Sequence, residues 1–229
     1  MIVTIIIVAV LIMSAVVHEY AHGVAALAQG DRTAQDAGRL TLNPIKHLDL
    51  FGSIIVPAVL IITKVPIFFA WAKPVPINPY NFKDVKYGEF KVAAAGPLSN
   101  FILAIFFAIV GKLLPIVMSI KYALINGFFG ADTSIGLSLL NGSMLNGVYV
   151  LSLFFVMVNL ALGLFNLLPW PPLDGSRLIF PWLPVRAQNW FMRMEHSPYS
   201  FVVLILLLSV GILEPLFTLI PMIFGWLVL

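Results

Sequence analysis

The chain has 229 residues, of which 61% are hydrophobic and 10% charged, and its formal net charge is +3. A mean hydropathy of +1.02 excludes an ordinary soluble domain and places the chain among multispanning membrane proteins, organised as a single domain over residues 1–229. With no Cys, thiolate metal ligands and disulfides are excluded together, and with no basic cluster interleaved with aromatics, no nucleic-acid partner is expected.

The first apolar run, Ile2–Ala28, exceeds the roughly 17–25 residues a spanning helix needs, and Glu19 is its one formally charged residue. It has neither a basic leader nor a small-residue cleavage site, so it is expected to stay in the mature protein. Inside it stands His18-Glu19-Tyr20-Ala21-His22. Two His at i and i+4 share one helix face and can reach one Zn²⁺, and the Glu beside the first can serve as base towards a metal-activated water. Ionisable groups at membrane depth are costly and mark a functional site. A metzincin would continue to Gly at position 25 and His at position 28, and both are Ala here.

The second run, Phe51–Trp71, is interrupted by Pro57, Lys64 and Pro66. After it, Trp71-Ala72-Lys73-Pro74-Val75-Pro76-Ile77-Asn78-Pro79 reads as extended, because each Pro disfavours helix at itself and at the residue before it. Two readings stand: an edge β segment beside the active site that pairs with substrate backbone, or a rigid interfacial linker anchored by Trp71. In the third run, Val92–Ile120, Gly96-Pro97 reads as a helix start with Pro in the first turn, and Asn100 as polar packing beside the site. His47 and His196 are flanked by charges and read as solvated or interfacial, and Glu195 and Glu214 receive no catalytic role.

The fourth run, Ser143–Leu168, ends in Asn166-Leu167-Leu168-Pro169-Trp170-Pro171-Pro172-Leu173-Asp174-Gly175, whose prolines break the helix and present Asp174 on irregular backbone. Leu-Asp-Gly alone is an ordinary turn. Beside His18 and His22, Asp174 becomes a third ligand, and two His with one carboxylate leave a fourth position open, the pattern of a catalytic zinc site. The last stretch, Phe201–Leu229, is broken by Gly211, Glu214 and Pro215 and is expected to form two short segments. The expected fold is therefore all-α, with five or six membrane segments.

Ligands at the end of the first run and just after the fourth must meet on one side of the bilayer, so an even number of crossings separates them. Three runs intervene or complete that path, and Phe51–Trp71 is expected to enter and return without crossing. Arg32, Arg39, Lys46, Lys73, Lys83, Lys86, Lys91, Arg177, Arg186 and Arg193 then lie on the metal-proximal face, with Lys112 and Lys121 opposite. The positive-inside rule makes the metal-proximal face cytoplasmic.

With His18-Glu19-x-x-His22, Gly96-Pro97-Leu98-Ser99-Asn100 and Asn166-x-x-Pro169-x-Pro171-Pro172-Leu173-Asp174-Gly175 in that order, the chain resembles the site-2 proteases, intramembrane zinc metalloproteases. The resemblance covers roughly residues 10–180, without the PDZ or CBS modules that larger members carry. It implies one Zn²⁺ per chain on His18, His22 and Asp174, Glu19 as catalytic base, and Asn166 near the substrate carbonyl. It further implies a transmembrane protein or peptide as substrate and the lipid bilayer as setting, the cytoplasmic membrane of a prokaryote being expected. The alternative is a non-hydrolytic zinc-binding membrane protein, whether transporter, sensor or pseudoprotease scaffold. A transporter is expected to show repeated halves, which this sequence lacks.

Overall fold

The first apolar run forms helix α1, Ile2–Ala28, and its end follows from Gly30. That residue sits at φ 103°, a conformation that side chains resist. The turn it makes lets Gly30 N–H reach Leu27 O at 2.9 Å and Asp31 N–H reach Ala26 O at 3.0 Å, satisfying carbonyls the helix leaves open. The computed structural model describes residues 2–49, 52, 55, 59, 62, 72–129, 138–140, 143–195, 197, 199–209, 211 and 214–229.

Beyond α1 come the short helix α2, Thr33–Asp36, and two 3₁₀ turns at Pro44–His47 and Pro79–Asn81. Each 3₁₀ turn starts on Asn-Pro, with Asn43 capping the N–H of Ile45 and Asn78 that of Tyr80. Asp31 joins these pieces. Fully buried, its carboxylate accepts from the Thr33 N–H (3.1 Å) and hydroxyl (2.5 Å), the Asn78 N–H (2.8 Å) and Asn81 Nδ2 (2.8 Å). Burial pushes this carboxyl up, but the donors of Asn78, Thr33 and Asn81 outweigh it and hold it below the usual carboxylate range.

Helix α3, Gly88–Leu113, starts earlier than Gly96-Pro97 suggests, and Pro97 lies buried inside it. The reading of Gly96-Pro97 as a helix start is thus corrected. A helix at membrane depth tolerates Pro where neighbouring helices satisfy the backbone, and here Gly96 lets α3 close on α1. The third apolar run also does not continue as one helix. Leu114, which precedes Pro115, turns extended (ψ 131°), and helix α4, Met118–Phe129, begins after it. Helix α5, Met144–Asn166, opens on Ser143, whose hydroxyl accepts the Asn146 N–H. The chain continues through α6 (Gly175–Leu178), α7 (Val185–Glu195), α8 (Tyr199–Ser209) and α9 (Glu214–Val228). The final apolar stretch thus holds two helices, of 11 and 15 residues.

Among the described residues, α1, α3 and α5 are long and apolar enough to cross a membrane. They pack on one another through a stripe of small or compact side chains on α3: Gly96, Asn100, Ala104, Ala108 and Gly111 are all buried. A Cβ added to Gly111 would lie 2.9 Å from the Ser152 hydroxyl, and one on Gly163 would lie 2.9 Å from the Phe101 ring. Alongside, Phe107 stacks on Phe155 at 4.0 Å, and α9 closes the bundle with Phe224 against Phe129. Gly96 and Asn100 meet His18 and His22, while Asn159, late in α5, reaches Ser14 of α1, so α3 runs opposite to α1 and α5.

The end of α1, the start of α3 and the end of α5 therefore share one end of the bundle. Both described flanks of the second apolar run lie there too, joined by the Lys73 N–H to His47 O bond at 2.8 Å. The re-entrant assignment of Phe51–Trp71 falls outside the described residues. At the opposite end lies Lys121, which is buried. Its ammonium donates to Gly111 O (2.9 Å) and Lys112 O (3.1 Å), capping the C-terminus of α3 with a cation.

No strand is present among the described residues. Residues 72–78 run extended without a sheet partner, because Pro74 and Pro76 have no N–H and the donors of Lys73, Val75 and Asn78 go to His47 O, Glu19 and Asp31.

Two outcomes follow. Single Cys at the exposed positions Lys86 and Arg193 should label with an impermeant thiol reagent from one side of the membrane, and Cys at the exposed Ser119 only from the other. Asp31→Ala should lower the thermal midpoint in detergent by roughly 5 °C, as expected for lost hydrogen bonds to a buried charge. Because the folded carboxyl titrates below its unfolded value of about 3.9, its stabilisation is complete above that pH and disappears as pH falls through the folded pKa. The gap between wild type and Asp31→Ala should therefore narrow below about pH 4 in pH-scanned melting curves.

Candidate metal centre

Near the end of α1, one helical turn brings His18 and His22 to the same face, turned towards α3 and both buried. Their rings stand 85° apart with centroids at 4.6 Å. Each ring is held from behind by its Nδ1–H. His18 donates to Asn100 Oδ1 at 2.6 Å, and His22 donates to the Val92 carbonyl at 2.7 Å, both acceptors on α3. A neutral imidazole with its proton on Nδ1 carries a lone pair on Nε2. The two Nε2 atoms face each other at 3.1 Å.

Asp174 completes a triangle. Its Oδ2 lies 3.1 Å from His18 Nε2 and 3.3 Å from His22 Nε2. As the residue that opens α6 it makes no side-chain cap, and its Oδ2 is buried with no hydrogen-bond donor among the described residues. The Leu-Asp-Gly turn explanation therefore leaves this carboxylate unexplained. With both imidazoles neutral, three lone-pair atoms converge, an arrangement that is repulsive unless a cation sits among them. The edges match those of a tetrahedral site, in which arms of about 2.0–2.1 Å set neighbouring ligand atoms about 3.3 Å apart. His18, His22 and Asp174 thus form a group that fits a metal ion.

Two glycines make the approach possible. A Cβ on Gly96 would lie 2.3 Å from His22 Nε2 and 2.6 Å from His18 Nε2, so only a bare backbone lets α3 pass behind the triangle. A Cβ on Gly175 would lie 2.2 Å from Leu167 O, so the turn that delivers Asp174 packs directly on the chain leaving α5. Arg177, one turn past Asp174, donates to Glu89 of α3 at 2.5 Å and to Glu195 of α7 at 2.6 Å, tying the same turn to two more elements. Glu195, given no role from sequence, is part of that tie.

Glu19 is not part of the triangle. Its Oε2 accepts the Val75 N–H at 2.8 Å, which places the carboxylate between the metal group and the extended stretch. Asn166 donates from Nδ2 to Leu162 O at 3.0 Å within its own helix. Both line one cavity of about 520 Å³ together with His18, His22 and Asp174. Its walls are apolar along Ile12, Ala15, Leu162 and Phe165 and charged at Glu89 and Arg177. His47 belongs to the same wall and corrects an expectation. Read from sequence as solvated or interfacial, it is instead 1% exposed, donating from Nε2 to Thr41 O at 2.8 Å, because the Pro44–His47 turn folds back onto α1. His196 falls outside the described residues.

Sequence reasoning missed the Val75 N–H, the Val92 carbonyl and Asn159. The first two are backbone groups and leave no signal in residue identity. Asn159, a polar amide inside an apolar run of spanning length, carried a signal of the kind that made His18 stand out.

Comparison with known proteins adds independent findings. The family model described as Peptidase family M50 matches residues 6–209. The chain is 37% identical over 199 residues to the Bacillus subtilis (strain 168) protein named "Putative zinc metalloprotease YwhC", covering 86% of this chain and 77% of that one. No solved structure matches.

Gly96→Ala should cost the protein its metal while leaving a folded helical chain, since the new methyl has no room beside either Nε2. Elemental analysis of purified protein alongside circular dichroism checks this. Undiminished zinc in that variant would show that the His pair is not the binding site.

Proposed function

Because this chain belongs to peptidase family M50, the site-2 protease family, we propose that it hydrolyses peptide bonds of transmembrane substrates inside the bilayer. The observation that carries this reading is the meeting, in one cavity, of a three-acceptor triangle and a carboxylate that is not part of it. A purely structural metal site has no use for Glu19 at that place.

His18, His22 and Asp174 would hold one zinc ion per chain. When bound, zinc supplies the Lewis acidity that makes water a nucleophile near neutral pH. Glu19 takes the proton of the attacking water and passes it to the departing amine, so no covalent intermediate with the chain forms. The Val75 N–H holds one Glu19 oxygen at 2.8 Å and leaves the other for that proton. Asn166 gives one amide N–H to Leu162 O, and its other N–H serves the oxygen of the scissile carbonyl.

A helix shields its carbonyls, so a substrate must lie extended to be cut. Ala72, Pro74, Val75 and Ile77 form a cavity wall against which such a segment lies. The Lys73 and Pro74 carbonyls are already taken by Arg39, at 2.8 and 3.4 Å. Recognition therefore rests on shape and apolar contact more than on a full ladder with this stretch. We place the cavity near the cytoplasmic face of a prokaryotic membrane, because the basic loop residues gather at the end of the bundle where α1 finishes. The return of the chain to that end supports a re-entrant second run.

The test is cleavage of a panel of single-span substrates by the purified protein in detergent, with and without a zinc chelator. Glu19→Gln should lower turnover by more than about a hundredfold while zinc content stays at the wild-type level, because the base is lost and the ligands are not. Normal turnover by that variant would end the assignment of Glu19. Wild-type protein that holds zinc yet cuts nothing in the panel would favour the non-hydrolytic reading.

A further inference from the structure

Behind His18 runs a chain of hydrogen bonds across all three long helices. Asn100 of α3 and Asn159 of α5 are both fully buried, as is Ser14 of α1. Asn159 Nδ2 donates to the Phe155 carbonyl at 2.9 Å and to the Ser14 hydroxyl at 2.9 Å. Asn100 Nδ2 donates to Asn159 Oδ1 at 2.8 Å and, at a longer 3.5 Å, to the Ser14 carbonyl, and Asn100 Oδ1 accepts from His18 Nδ1 at 2.6 Å.

The direction of this chain is set by its far end. A backbone carbonyl only accepts, so the NH₂ of Asn159 must face Phe155 O and its oxygen must face Asn100. Asn100 must then turn its own NH₂ towards Asn159 and its oxygen towards His18. Facing an oxygen, His18 can only donate from Nδ1, and Nε2 is left as a lone pair in the triangle. A flipped Asn100 would present N–H groups to His18 and draw the proton to Nε2, the wrong tautomer for a ligand.

We propose that Asn159 is a positioning residue of the metal centre: it orients the Asn100 amide and so fixes which nitrogen of His18 carries the proton. This rests on the zinc reading above. It gives a function to a polar side chain that lies in none of the motifs carrying the family resemblance.

The experiment measures zinc affinity of the full chain in detergent, by competition with a chromogenic chelator. Asn159→Leu should weaken binding about 10–100-fold, the usual cost of losing an orienting partner. The same substitution in an Asn100→Asp background should change affinity by no more than about twofold, because a carboxylate offers oxygen whichever way it turns. A merely structural Asn159 would instead lower the melting temperature of the metal-free protein and leave both affinities alike. Should Asn159→Leu fail to fold, Asn159→Asp decides. Buried as the neutral acid, it keeps an acceptor for Asn100 and a donor for Phe155 O, and its affinity should stay far closer to wild type than that of Asn100→Leu. Undiminished affinity in folded Asn159→Leu, an equal loss in both backgrounds, or an Asn159→Asp loss as large as that of Asn100→Leu overturns the proposal. Wild-type protein without zinc affinity would defeat the metal reading itself, and the positioning role with it.

Discussion

Three lone pairs held about 3 Å apart, on His18, His22 and Asp174, are the constraint around which the fold is arranged. In an apolar interior such a cluster is repulsive, and the surrounding structure has to hold it together until a cation relieves it. That explains why the approach of α3 depends on Gly96 and why each imidazole is tethered through its Nδ1. Asp174 comes from a different part of the chain, and Gly175 and Arg177, which follow it, are both engaged in fixing its turn.

The polar groups that do this work lie where polar groups are expensive. Asn100, Asn159 and Ser14 are completely buried among helices of spanning length, and each finds a partner in the others or in backbone. Hydrogen bonds between membrane helices contribute only about 1 kcal/mol each, so packing of the small-residue stripe on α3 is the larger source of cohesion. The gain from the network is geometric: every donor and acceptor in it has one orientation that satisfies its neighbours. The Arg177 pairs with Glu89 and Glu195 are partly exposed and add little to stability, and their value likewise lies in position.

Glu19 and the extended stretch are coupled in a similar way. Proline at positions 74 and 76 strips that stretch of N–H groups, leaving Val75 as a donor between two residues that have none. That single donor is spent on Glu19, and the backbone on either side is held by His47 O, Arg39 and Asp31. The cavity wall and the carboxylate therefore move as one piece, and the fully buried Asp31 anchors the piece to the end of α1.

By itself the sequence determined the helical membrane character of the chain and pointed to His18, His22 and Asp174, the three side chains that converge as a group able to hold a metal. Long apolar runs must satisfy their backbone internally, and a His pair at i and i+4 shares a face wherever the helix lies. The boundaries of α1 and α5 and the break at Gly211 were legible for the same local reasons, Gly and Pro chemistry at the ends of runs. Only the tertiary structure decided that Gly96 and Pro97 lie inside a helix, where closeness to His18 and His22 outweighs local propensity. It also decided that His47 and Lys121 are buried, since their partners are backbone carbonyls that residue identity does not reveal. The orientation of His18 was beyond reach for a related reason: it depends on a carbonyl at residue 155, passed through two amides on two other helices, and no spacing along the chain encodes that path.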